Sequence, residues 1–90
     1  MYVYMRERIG TLSVKDISDK QVVAAFHQAR EEQYEQWPYE ILASGTGQPE
    51  KVCYRAMERA ERRGLVEYGV SLRTGWLTEA GLKLLQFQEN

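Results

Sequence analysis

From Ser18 onward the apolar positions fall into two periods, first helical and then alternating. In "SDKQVVAAFHQAREEQ", Val22, Val23, Phe26 and Ala29 recur at helical spacing with charge on the other face. This predicts a first helix over residues 19–33, opened by a Ser18–Gln21 capping box. In "WPYEILAS", Pro38 suits a first helical turn, Ile41 and Leu42 face inward, and the run stops before Gly45. "SGTGQP" is turn chemistry, after which Pro49 starts a third helix over 49–63 that Gly64 closes. Beyond Gly64 the period becomes two. Val66, Tyr68, Val70 and Leu72 alternate with Glu67, Gly69, Ser71 and Arg73, which predicts a half-buried strand. "RTG" turns the chain and Trp76-Leu77 begins the return strand. Thr78 caps a last helix, with Glu79 well placed for its dipole and Leu82, Leu85 and Phe87 as docking residues. The expected fold class is mainly α with a small β-hairpin (α+β). "MYVYM", ahead of these elements, reads as an arm, an edge strand or part of a subunit contact.

A wheel at about 100° per residue sorts the third helix into two sides. Val52, Cys53, Ala56, Met57 and Ala60 share one arc, and Lys51, Arg55, Glu58 and Arg62 lie nearly opposite, with Tyr54 and Arg59 on the flanks. The alanines let the helix sit close to its neighbours and leave the outer side protruding. Glu50, Lys51, Tyr54 and Arg55 at its N-terminal end then have the geometry to enter a major groove. Lysine and arginine suit phosphates or guanine edges, and tyrosine a phosphate or a thymine methyl. Against this stands a plain solvated face, with Glu58 paired to Arg55 and Arg62 along the helix.

Composition narrows the setting. Hydrophobic residues are 43% and charged residues 28%, a globular balance, and no apolar run approaches a bilayer span. A single cysteine, with no signal-peptide pattern at the start, predicts a cytoplasmic protein. The net charge of −1 argues against indiscriminate coating of nucleic acid, but the charge is unevenly placed. Residues 51–76 hold six basic residues against three acids, whereas residues 1–50 hold five against eight. An anionic partner is expected at the basic segment.

No chemistry of catalysis is legible. His27 is alone beside the first helix's apolar stripe, Cys53 lies on the buried arc, and Gly45 and Gly47 are followed by no Gly-Lys-Ser/Thr. Trp37 and Trp76 flank elements and are expected to cover the core edge. We expect no metal, no cofactor, no small-molecule ligand and no enzyme.

Three stretches carry a resemblance. "VCYRAMERAERRGLVEY" is similar to a recognition helix running into a first wing strand. "GWLTEAGLKLL" is similar to a second wing strand and closing helix, and "ILASGTGQPEK" to the helix and turn before the recognition helix. Together, residues 37–87 resemble a winged helix-turn-helix domain of the kind found in bacterial and phage transcription regulators. The resemblance implies an arm over 1–17 and a winged helix-turn-helix domain over 18–90. It also implies Lys51, Tyr54 and Arg55 in the major groove, Thr46 and Gln48 on phosphates, and Arg73 and Thr74 of the wing on the backbone or minor groove. Arg59 and Arg62 extend the basic row. The chain departs from the pattern in its glycine-rich turn, in the small Ala60, and in a short wing whose one basic residue is Arg73. The expected function is sequence-specific binding of double-stranded DNA, as a homodimer reaching two half-sites. The alternative is a protein-binding winged helix that adapts or inhibits a nucleic-acid-processing complex.

Overall fold

The computed structural model describes residues 16–87, so the expectations for "MYVYM" lie outside the described residues. Four helices and one small sheet follow in the order α1 (Asp19–Glu31), α2 (Pro38–Thr46), α3 (Glu50–Arg62), β1 (Val66–Glu67), β2 (Trp76–Leu77) and α4 (Glu79–Gln86). This is a mainly helical α+β layout of winged-helix-like form.

Each start has a local cause. The Ser18 hydroxyl accepts from the Gln21 amide, and the Ser18 amide donates to the Gln21 side chain, so both halves of the capping box form. The Glu40 carboxylate accepts from the Trp37 amide at the head of α2. At α4 the Thr78 hydroxyl accepts from Gly81 and donates to the Gly64 carbonyl.

The ends differ from expectation in two places. Helix α2 runs through Gly45 to Thr46, because Gly47 (φ 75°), not Gly45, supplies the left-handed residue that ends it. Helix α1 stops at Glu31, and Gln33 and Tyr34 both take positive φ in the connection to α2. Gly64 (φ 76°) closes α3 as expected, with the Gly64 and Leu65 amides donating to the Glu61 and Ala60 carbonyls in a Schellman pattern.

The core gathers Ile17, Val22, Ala25 and Phe26 with Leu42 of α2, five residues of α3, Val66 and Leu72. Helix α1 packs against α2, α3 and α4. Helix α4 lies so close to the chain leaving α3 that a Cβ on Gly81 would meet the Leu65 carbonyl oxygen at 2.1 Å.

The hairpin is shorter than the alternation predicts. Only Val66 and Glu67 pair, antiparallel, with Leu77 and Trp76. The register would set residues 72–75 opposite 68–71, but Leu72–Thr74 coil into a 3-10 turn closed by the Gly75 amide on the Leu72 carbonyl, so residues 68–71 have no extended partner. Leu72 re-enters the core as the first residue of a 3-10 turn, Leu72–Thr74. Tyr68 and Val70, expected half-buried, are exposed.

Candidate nucleic-acid interface

Helix α3 begins after Pro49 with no side chain capping its first turn, an acid (Glu50) at its head, and Arg59 and Arg62 in its last turn. That distribution suits the helix dipole. Val52, Cys53, Ala56, Met57 and Ala60 are all buried, so the apolar arc read from the sequence is the anchored side. Burial pushes the Cys53 thiol above its ordinary value, and its Sγ donates to the Gln48 carbonyl at 3.7 Å. It is an inert core residue here.

The opposite side carries Glu50, Lys51, Arg55, Glu58 and Arg62, every one exposed. Among the described residues, the ion pairs of α3 and its C-cap residue are those of Arg59 and Arg63 with Asp19. Glu58 pairs with neither Arg55 nor Arg62, so the intrahelical pairing open to it in sequence does not form.

The flank toward α1 is different. Arg59 donates through Nε to Asp19 at 2.9 Å and through Nη2 to the Ile17 carbonyl, and its side chain is only 13% exposed. Arg63 reaches the second oxygen of the same carboxylate at 2.6 Å. Arg59, expected in the basic row, is thus turned into the joint between α3 and the start of α1. The cause is Asp19, a first-turn acid that α1 brings alongside α3.

On the other flank half-buried Tyr54 meets Tyr39 of α2 edge-on, with ring centroids 6.0 Å apart, and the Arg73 guanidinium lies over the same Tyr39 ring at 5.8 Å. Arg73 is therefore joined to the N-terminal half of α3 through two aromatic rings. The remaining groups expected on phosphate or backbone are directed inward. The Thr46 hydroxyl donates to the Leu42 carbonyl and accepts from the Gln48 amide, the Gln48 Oε1 is buried without a partner, and the Thr74 hydroxyl donates to the Ser71 carbonyl.

An open groove of about 470 Å³ separates α3, from Tyr54 onward, from the loop after β1. Tyr54, Glu58, Glu61 and Arg62 form one wall and Tyr68, Val70, Ser71 and Leu72 the other. No sequence pattern signals this groove, because alternation places Tyr68 and Val70 on a buried strand face.

His27 is exposed, and among the described residues no three His, Cys, Asp or Glu side chains are grouped to hold a metal ion. Nor is any described helix long and apolar enough to cross a membrane. Comparison with protein-family models, curated proteins and solved structures finds no match.

Proposed function

We propose that the chain binds double-stranded DNA sequence-specifically, as a small transcription regulator of the winged-helix type. One observation carries the reading: a helix anchored by its apolar side holds Lys51, Arg55 and Arg62 outward with no ion pair among the described residues. Charges already neutralised inside a protein have little to offer a phosphate, whereas these remain available. Further support comes from the uncapped first turn of α3 beside Lys51 and from Arg73, which extends positive charge across Tyr39 toward the wing. In this reading Lys51 meets phosphate, Arg55 reads a base edge, and Tyr54 packs beside them. Dimerisation would supply two half-sites, and no catalytic step is involved.

A titration of the full chain against duplex DNA at several salt concentrations tests it. Affinity should fall with salt at a log–log slope of about −0.9 per neutralised phosphate. A weak response that ignores salt would remove the reading.

A protein-binding winged helix is the second reading. It is favoured by the Glu58 and Glu61 carboxylates facing exposed Val70 across the groove. Under it, Arg55→Ala leaves DNA behaviour unchanged.

A further inference from the structure

The groove beside α3 has a distinct chemical character. On one wall Val70 is 99% exposed and Tyr68 46%, two apolar side chains set in a mainly polar groove. The other wall presents two carboxylates and one guanidinium, Glu58, Glu61 and Arg62, none in an ion pair among the described residues. The chain itself contains a stretch of matching composition outside the described residues. Tyr2, Val3, Tyr4 and Met5 are apolar, and Arg6, Glu7 and Arg8 bring two positive charges and one negative. The charges of "RER" are opposite in sign to those of the wall.

We propose that the groove is the docking site for residues 2–8 of the same chain, with Arg6 and Arg8 on Glu58 and Glu61 and the apolar residues over Tyr68 and Val70. The tether allows it. Arg59 holds the Ile17 carbonyl on the α1-facing flank of α3, and the groove opens on the opposite flank. The stretch from Arg8 to Ile17 can span about 30 Å when extended. A helix with its side chains is only about 10–12 Å across. The docking does not depend on the DNA-binding reading.

The test uses the full chain with Gly10→Cys carrying a nitroxide, Cys53 being buried and left unlabelled. Amide signals of Glu61, Tyr68 and Val70 should broaden several-fold more than those of Lys83 and Leu84. Arg6→Glu with Arg8→Glu should abolish the difference, and so should Glu58→Gln with Glu61→Gln, which leaves the segment intact. Uniform broadening, or broadening indifferent to both pairs of changes, overturns the proposal. So does broadening that survives when the label and the observed nuclei sit on different molecules, because a second copy would then be the donor. If the parent chain binds no DNA, the DNA-binding reading fails while the broadening result still decides the docking.

Discussion

The two sides of α3 that carry arginine use it differently. On the flank facing α1, Arg59 and Arg63 share the Asp19 carboxylate, and Arg59 adds the Ile17 carbonyl, so their charge is consumed in joining two helices. On the outward side, Lys51, Arg55 and Arg62 have no such partners among the described residues. The same residue type, a turn or less apart, is architecture on one side and available charge on the other. What decides is whether a neighbouring element brings an acid within reach.

Substitutions can break this contrast at several strengths. The largest effect belongs to the anchored side: Met57→Ala should lower stability by about 2–5 kcal/mol, read from denaturant unfolding, because Met57 is fully buried between the helices. Next is Asp19→Ala, which removes the carboxylate that both flank arginines share. We expect a loss of about 2–3 kcal/mol, short of the full penalty of a buried pair because Asp19 keeps 18% side-chain exposure. The DNA affinity of the folded protein should stay within about twofold, a change of less than about 0.5 kcal/mol.

Arg55→Ala inverts that pattern. Its stability should remain within about 0.5 kcal/mol of the parent, since nothing in the described structure leans on it. DNA binding should weaken by about 1–3 kcal/mol if Arg55 reads a base. The smallest effect is Arg63→Ala, whose 58% exposed side chain makes a screened pair contributing about 0–1 kcal/mol, measured by the shift in unfolding midpoint.

The same contrast divides what the sequence made legible from what it did not. Ser18 with Gln21, Thr78 with Glu79, and Gly64 are local signals, and each element boundary they mark is where the structure has it. The buried arc of α3 is equally readable, because helical period alone determines which residues share a side. The Arg59–Asp19 pair joins residues forty positions apart, and no short window of sequence contains both. The wing fails for another reason. Alternation from Val66 to Leu72 describes a strand only if a partner strand of equal length exists, and the 3-10 turn Leu72–Thr74 takes up the residues that would have faced 68–71. At Thr46 and Thr74 the hydroxyls are expected on phosphate or backbone, yet each is used by a nearby carbonyl. Such local bonds are a standing alternative for threonine in turns and helix ends.

The most direct measurement is the salt dependence of duplex binding for three chains side by side: the parent, Lys51→Ala with Arg55→Ala, and Arg63→Ala. The account predicts a steep parent slope and no change for the flank variant. For the outward double variant the slope should be shallower by about 0.9 for each phosphate that is no longer neutralised. Equal slopes for all three chains, or a weakening confined to Arg63→Ala, would contradict it.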